Sequence, residues 1–172
     1  LSLNLILVIK NAIEKLPNFN LMLVSTKPII EYVQNVFGKI SNTAIINKSK
    51  ISLLEYSELL RSPELWKSIK EERILVFQSD SLILRKISET EFSNLSMLGP
   101  VCVNFDDEKK FIMNGGFSFR DKKLMLELCK NEIITSKVED IFFTEQIRKF
   151  YPELMPSMRE CNDFAIESIG NK

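Results

Sequence analysis

The chain has 172 residues, 45% apolar and 27% charged, so it can bury one substantial core and we expect a single domain over residues 1–172. Its 23 Lys and Arg balance its 23 Asp and Glu, so no global charge favours binding to nucleic acid or to an anionic membrane. Histidine is absent, which excludes Ser-His-Asp and Cys-His catalysis and histidine metal sites; acid–base or metal chemistry must rest on Asp, Glu, Lys or Tyr.

Three cysteines, odd in number and widely spaced, argue against a disulfide framework or a zinc cluster and favour a reducing, cytoplasmic compartment. We expect each to be a small buried hydrophobe rather than a nucleophile. They are Cys102, Cys129 and Cys161. The apolar residues 1–7 have no basic flank and are far shorter than a bilayer span, so no transmembrane segment is expected there. Apolar residues instead recur at helical spacing over residues 5–16, and Pro17 closes the predicted helix.

Strand-like and helix-like segments alternate along the rest of the chain. Strands are predicted at residues 21–24, 43–46, 74–77, 97–103 and 117–119. Helices are predicted at residues 27–37, in two stretches within 52–69, at 121–129 and at 139–150. Gly38 ends the first of these helices, Ser62 and Pro63 cap another, and Pro152 and Pro156 are expected to break up the tail. Short strands alternating with helices predict an α/β domain with a mainly parallel sheet.

The segment at residues 74–81 (ILVFQSDS) carries an apolar run straight into a polar cluster with one carboxylate. A continuous apolar run of strand length is typical of a strand covered on both faces, as in a parallel sheet. Asp80 would then lie at the carboxyl end of the strand, where open α/β sheets hold ligands. A single Asp after a buried strand is also common in proteins of many functions, so this pattern alone leaves both interpretations open.

Two of the five glycines are adjacent, at Asn114-Gly115-Gly116. Turn chemistry predicts a tight hairpin there, with at least one glycine at positive φ, and a pocket wall is the functional alternative. No Gly-x-Gly-x-x-Gly or Gly-x-x-x-x-Gly-Lys phosphate loop is present. Arg120 follows the second arm of this hairpin, where it either pairs with a phosphate or carboxylate or lies exposed at a helix start.

Glu139 and Asp140 precede an apolar run at residues 141–143. Carboxylates in the first turn of a helix are favoured by the helix dipole, which is the structural interpretation. The functional interpretation is a general base that accepts the proton of an attacking hydroxyl. Without histidine, this pair supplies the leading candidate for that role.

Taken together, six segments in order resemble one family. They are residues 56–66 (YSELLRSPELW), 74–81 (ILVFQSDS), 98–100 (LGP), 114–120 (NGGFSFR), 138–140 (VED) and 163–167 (DFAIE). Over about residues 11–167 the chain resembles the glycosyltransferase-like, GT-A-type proteins long catalogued as a domain of unknown function. The resemblance implies a GT-A-like (Rossmann-related) three-layer sandwich that transfers a sugar from a nucleotide-sugar donor to a saccharide or glycoconjugate acceptor, as in surface polysaccharide assembly.

The resemblance also implies roles for particular residues. Asp80, flanked by Ser79 and Ser81, would hold Mg²⁺ or Mn²⁺ against the donor diphosphate. The segment Asn114-Gly115-Gly116, with Arg120, would line the donor and acceptor pocket. Asp140 would supply the base, and Glu139 would contact the acceptor or support the helix start. The wider superfamily often has two aspartates around one residue, and serines flank Asp80 here, which weakens the expectation of metal dependence.

GT-A domains usually begin with a strand that precedes the first helix, and this chain starts at the helix, so the resemblance is consistent with a missing first strand. Two functions of different classes remain open. One is a glycosyltransferase, and the other is a degenerate GT-A-like domain that binds a nucleotide, a sugar or a protein partner without catalysis. A sugar-phosphate nucleotidyltransferase would require a glycine-rich basic phosphate loop near its start, which this sequence lacks.

Overall fold

The computed structural model describes residues 3–38, 40, 42–48, 50–88, 91, 95–102, 107, 110–130 and 138–167. These residues contain both α-helices and β-strands, as predicted, and the chain divides into two compact units. The first unit comprises Leu1–Ser52 and Ser79–Glu91, and the second comprises Leu53–Gln78 and Phe92–Lys172. No helix in the described ranges is long and apolar enough to cross a lipid bilayer.

The first unit has the predicted alternation of helices and strands. Its elements are α1 (Leu3–Lys15), β1 (Met22–Thr26), α2 (Lys27–Phe37) and β2 (Asn42–Ile46). The two strands pair in parallel, with Met22 opposite Asn42 and Thr26 opposite Ile46. Gly38 follows α2 with φ of 81°, a backbone conformation that glycine adopts without steric cost, which is why the helix ends there.

An asparagine side chain ties α1 to the segment after Asp80. Asn11 Nδ2 donates to the carbonyl of Ile83 at 3.0 Å, and the Ile83 N–H donates to Asn11 Oδ1 at 2.8 Å. Ile83 is buried, while Leu82 and Leu84 on either side of it are exposed. One amide therefore satisfies both backbone polar groups of a buried residue that the described β-ladders do not pair.

The second unit contains the rest of the described secondary structure. Its elements are α3 (Leu53–Leu60), α4 (Pro63–Ser68), β3 (Arg73–Phe77), β4 (Met97–Leu98), β5 (Phe117–Asp121), α5 (Lys122–Leu128), α6 (Glu139–Phe150), a 3-10 turn (Pro152–Leu154) and α7 (Met158–Phe164). Ser62 occupies the N-cap of α4 as predicted, but its hydroxyl donates to Glu64 rather than accepting from the helix backbone. The predicted strand at 97–103 is limited to β4 and an isolated bridge at Val101, and residue 103 lies outside the described ranges.

The sheet of the second unit is antiparallel, so the predicted parallel environment of residues 74–77 is wrong in this part of the fold. Its strand order is β3-β5-β4, with Phe77 opposite Phe117 and Ile74 opposite Arg120. A continuous apolar run indicates a strand with covered faces, and it does not determine the direction of the neighbouring strand. The pairing is reinforced by an ion pair between Arg73 and Asp121, which lie opposite each other at 3.2 Å.

The core of the second unit is built around Trp66 and Phe143. Their rings meet edge to face, with centroids 6.3 Å apart, and Trp66 Nε1 donates to the carbonyl of Leu60 at 2.7 Å. Both residues are 1% exposed or less. Buried aromatic pairs of this kind stabilise beyond their area by about 0.5–1.5 kcal/mol. This core fixes α4 against α6, whose first turn carries Glu139 and Asp140.

Candidate functional site

The glycine pair follows a segment that pairs with residues 100–102 rather than with β5. The Cys102 N–H donates to the Ile112 carbonyl at 2.9 Å, and the Asn114 N–H donates to the Pro100 carbonyl at 2.8 Å. Val101 and Met113 form an antiparallel bridge. The predicted hairpin between residues 111–113 and 117–119 is therefore wrong, because each of its arms has a different partner strand.

The predicted positive φ is also wrong, since neither Gly115 nor Gly116 has one. Glycine is required here for space instead. A Cβ on Gly115 would overlap the side-chain ends of Glu139, Arg120 and Asp140, and a Cβ on Gly116 would lie 2.7 Å from Gln78 Oε1. Both glycines are required by the close approach of the backbone to the ends of polar side chains, and not by a positive φ.

Arg120 and Glu139 form a buried ion pair beside these glycines. Arg120 Nη2 donates to both carboxylate oxygens of Glu139, at 3.0 and 3.2 Å, and to the Gly115 carbonyl at 3.1 Å. The two side chains are 0% and 3% exposed. The carboxylate that Arg120 pairs with belongs to this chain and not to a ligand, and the alternative prediction, exposure at a helix start, is wrong. Arg120 presents no surface to a ligand in this arrangement.

Ser118 and two aromatic rings complete the surroundings of Arg120. The Nε group of Arg120 donates to Ser118 Oγ at 2.8 Å, and that hydroxyl donates to the Gly115 carbonyl at 2.9 Å. The guanidinium carbon lies 5.8 Å from the Trp66 ring centroid and 5.2 Å from that of Phe143. Nη1 has no hydrogen-bond partner among the described residues, and cation–π attraction to the two rings compensates part of that cost.

Asp140 is half-buried next to this ion pair. Its Oδ1 accepts from the Gly115 N–H at 2.9 Å. The pKa of Asp140 is raised from 3.8 to about 8, and burial is the largest cause. A hydrogen bond with Glu139 and the charge of Glu139 also raise this pKa, and together they outweigh the lowering by the Arg120 charge and the Gly115 N–H. A carboxyl with a pKa close to neutral both accepts and releases a proton readily, which is the property required of a general base.

Asn114 links the glycine pair to the end of the described chain. Its Oδ1 accepts from the Gly116 N–H at 2.7 Å, and its Nδ2 donates to Glu167 Oε1 at 3.1 Å. The first bond is an Asx turn, in which the side chain holds the backbone two residues later. Residues 114 and 167 belong to two of the segments on which the family resemblance rests, and the fold brings them into contact.

Two residues near Asp140 were not predicted as site residues. Gln78 directly follows β3 and faces Gly116, and its side chain hydrogen-bonds to Tyr56. The pKa of Tyr56 is raised, first by its burial, with the charges of Glu139 and Asp140 also contributing. The position of Gln78 at the end of an apolar strand was the available sequence signal. Nothing local in the sequence places Tyr56, which reaches the site from α3.

The thiols are not activated. Burial raises the pKa of Cys102 to about 12, and the carboxylates of Glu167, Asp140 and Glu139 add to that rise. Burial likewise raises the pKa of Cys129 to about 11 and of Cys161 to about 12. Thiolates are therefore scarce at neutral pH, which agrees with the prediction that these cysteines are not nucleophiles.

Asp80 lies in a turn three residues after β3 and is exposed, as is Ser79, while Ser81 is half-buried. All three belong to the first unit, whereas Gln78 belongs to the second. The part of the chain that the structure describes contains no group of three His, Cys, Asp or Glu residues arranged for a metal ion. That Asp80 faces the same cleft as Asn114 to Gly116 stays a prediction.

One family model matches the chain over residues 40–172, and it is described as a protein of unknown function, DUF5672. The match includes the glycine pair, Arg120, Glu139, Asp140 and Asp80. No curated protein and no solved structure matches the sequence.

Proposed function

The chain belongs to the DUF5672 family, and from that premise and the geometry around Asp140 we propose that it is a glycosyltransferase. The reaction moves a sugar from a nucleotide-sugar donor to a hydroxyl of a saccharide or glycoconjugate acceptor. The observation that carries the proposal is Asp140, a half-buried carboxyl held by the Gly115 N–H beside a buried ion pair. Strongly perturbed carboxyls next to close-packed backbone are enriched in active sites.

Asp140 has the properties that acceptor activation requires. In the transfer step the acceptor oxygen bonds to the anomeric carbon while the bond from that carbon to the donor phosphate breaks. The bonding electrons leave with the nucleoside diphosphate, and the proton of the acceptor hydroxyl passes to Asp140. Its pKa of about 8 makes the carboxylate a much stronger proton acceptor than an ordinary aspartate.

The donor side of the proposal rests on residues 79–81. Asp80 offers an exposed carboxylate, and Ser79 and Ser81 offer hydroxyl oxygens. This donor set fits Mg²⁺ or Mn²⁺, which commonly bind one or two protein carboxylates together with substrate phosphates. When bound, the cation would neutralise charge on the leaving diphosphate.

The fold is compatible with the proposal at a coarse level. The first unit has a parallel strand pair with helices, and the second has an antiparallel three-stranded sheet, so strands of both directions occur in one α/β chain. The finer assignment, a GT-A-like three-layer sandwich, is part of the proposal. It rests on the order of the six segments in the sequence.

A thermal-shift screen tests the donor half of this proposal. Uridine, guanosine, cytidine and thymidine diphosphate sugars would be added to the protein, each with and without Mn²⁺. We expect one nucleotide to stabilise the protein, by about 2.7 kcal/mol at a concentration one hundred times its dissociation constant. Asp80→Asn should abolish the part of the shift that requires Mn²⁺. Asp163→Asn, which removes the same charge from an exposed position on α7, should leave the shift unchanged.

Assay of nucleoside diphosphate release would complete the test. A donor that stabilises the protein without transfer to any saccharide acceptor would favour the alternative of a GT-A-like domain that binds without catalysis. If no nucleotide sugar stabilised the protein under any metal condition, both donor binding and glycosyl transfer would be rejected in favour of a partner-binding role.

A further inference from the structure

We propose that Glu139 is a positioning residue rather than an acceptor-binding one, and that buried Arg120 fixes it so that it receives a hydrogen bond from protonated Asp140. The inference rests on the proposed function for its catalytic meaning. Its structural basis is the arrangement of three charged side chains around the backbone of Gly115. It assigns Glu139 a role in proton transfer without contact to substrate.

The Glu139 carboxylate is poorly accessible to a substrate. The Glu139 side chain is 3% exposed, and both of its oxygens accept from Arg120 Nη2. A substrate hydroxyl would have to displace Arg120 to reach this carboxylate. Displacement would leave a buried guanidinium without its counterion, at a cost of several kcal/mol. Glu139 is therefore unsuited to binding an acceptor directly.

Several contacts hold the Arg120 side chain in place. Two further hydrogen bonds orient its guanidinium group besides the ion pair, one from Nε to Ser118 Oγ and one from Nη2 to the Gly115 carbonyl. The Ser118 hydroxyl is itself held by a bond to that carbonyl. Two aromatic rings, of Trp66 and Phe143, flank the group. A cation fixed in this way holds the Glu139 carboxylate in one orientation.

The carboxyl groups of Glu139 and Asp140 lie close together beside Gly115. Glu139 Oε1 and Asp140 Oδ1 both border the space that a Cβ on Gly115 would fill. After burial, the interaction between these two carboxyls contributes most to raising the pKa of Asp140. Because Arg120 Nη2 donates to both oxygens of Glu139, the proton between the two carboxyls is assigned to Asp140. A proton taken from an acceptor hydroxyl would thus end in a hydrogen bond between the two carboxyls, which stabilises the product of proton transfer relative to an isolated aspartic acid.

Other charged or titratable groups also act on this pair, so they must be considered in any pH measurement. They are Arg120 from β5, Tyr56 from α3, and Cys102 together with Glu167 near Asn114. Tyr56 and Cys102 both have raised pKa values and stay neutral near pH 7. Glu139 and Arg120 therefore remain the charges that act directly on Asp140.

The experiment is a pH titration of the Asp140 carboxyl by carbon-13 NMR in the Glu139→Gln variant, without any substrate. Loss of the neighbouring carboxylate should lower the Asp140 midpoint by about one unit or more. Glu145→Gln is the matched control, because it removes the same charge from an exposed position of the same helix, and it should leave the midpoint unchanged. An unchanged midpoint in Glu139→Gln would overturn the proposal.

A second variant covers the case in which Glu139→Gln does not fold, since it leaves Arg120 buried without a counterion. The double variant Arg120→Gln with Glu139→Gln removes both charges and leaves no unpaired ion. Glu139 raises the pKa of Asp140 more than Arg120 lowers it, so the midpoint should fall here too. An unchanged or higher Asp140 midpoint in the double variant would reject the positioning role of Glu139.

The titration also separates this inference from the proposed function. If no transfer activity exists, the Asp140 midpoint still reports whether Glu139 controls its proton. If transfer activity exists, the acidic limb of the kcat/KM profile should move with the NMR midpoint in Glu139→Gln and stay in place in Glu145→Gln. A purely structural Glu139 would reduce stability without moving either quantity.

Discussion

Asp140 and Asp80 are both candidate functional aspartates, and their surroundings differ sharply. Asp140 is half-buried, accepts a backbone N–H, and lies beside a fully buried ion pair. Asp80 is exposed in a turn, with hydroxyl neighbours in sequence. The fold itself raises the proton affinity of Asp140 in the absence of any ligand. Asp80 is exposed to solvent, which suits a carboxylate whose role would depend on the ligand that it binds.

Substitutions around Asp140 and substitutions at Asp80 should therefore have different effects. Changes around Asp140 should alter proton affinity and stability together, because the same atoms serve both. Changes at Asp80 should alter ligand binding alone, because little of the fold depends on an exposed turn. The three predictions below test that contrast, from the largest expected effect to the smallest.

Asp140→Asn should reduce sugar transfer by roughly two to four powers of ten, the range typical of the loss of a general base. The variant keeps the shape and the acceptor for the Gly115 N–H, so donor binding should stay near the parent value. Steady-state kinetics with the donor found in the thermal-shift screen would measure both quantities. Transfer at the parent rate would exclude Asp140 as the base and leave the helix-dipole interpretation of Glu139 and Asp140 in place.

Gly115→Ala should destabilise the fold by about 3–5 kcal/mol, the cost of breaking a buried ion pair. The added Cβ would occupy space held by Glu139, Arg120 and Asp140, and these interlocked groups cannot move independently. Gly116→Ala is the comparison variant and should cost less, since its Cβ would meet the end of the Gln78 side chain. Urea unfolding at an unchanged m-value would rank the two, and equal midpoints would contradict the space argument.

Stability should depend on pH through Asp140. The pKa of Asp140 is raised from 3.8 to about 8 in the folded protein, so folding favours its protonated form. Its stabilising contribution is full below about pH 4 and is lost as the pH rises to about 8, at up to about 1.4 kcal/mol per pH unit.

Unfolding measured from pH 4 to pH 9 would show this slope as a difference between the parent protein and Asp140→Asn, with the variant relatively more stable at high pH. Asp80→Asn, a substitution in an exposed turn, should change the free energy of unfolding by no more than about 0.5 kcal/mol. A parent protein and Asp140→Asn variant with parallel curves would show that Asp140 titrates normally.

Much of the secondary structure follows from local signals in the sequence. The helix at residues 139–150 was predicted with the bounds it has, because acidic residues favour its first turn and Pro152 cannot continue it. Helix α7 was missed even though its sequence carries a recognisable start. Ser157 and Glu160 form a capping box, in which each side chain bonds to the backbone of the other, although Pro152 and Pro156 predict a broken tail.

The pairing of strands and charges did not follow from local pattern. Residues 111–113 and 117–119 look like two arms of one hairpin, yet each pairs with a different segment, which only the tertiary fold decides. The ion pair between Arg120 and Glu139 joins residues 19 apart, and no spacing rule connects a strand residue with a helix start at that separation. The ion pair beside Gly115 therefore follows from the tertiary fold and not from local sequence signals.

Asn11 shows how a single side chain can take the place of a missing β-strand neighbour. Its amide offers one donor and one acceptor to Ile83, the same pair that an adjacent strand would supply at that position. An ionised aspartate could accept but not donate, and leucine could do neither, so both bonds require a side chain that carries a donor and an acceptor, as an amide does. Because Ile83 lies three residues after Asp80, these two bonds attach the chain that follows the candidate metal ligand to α1.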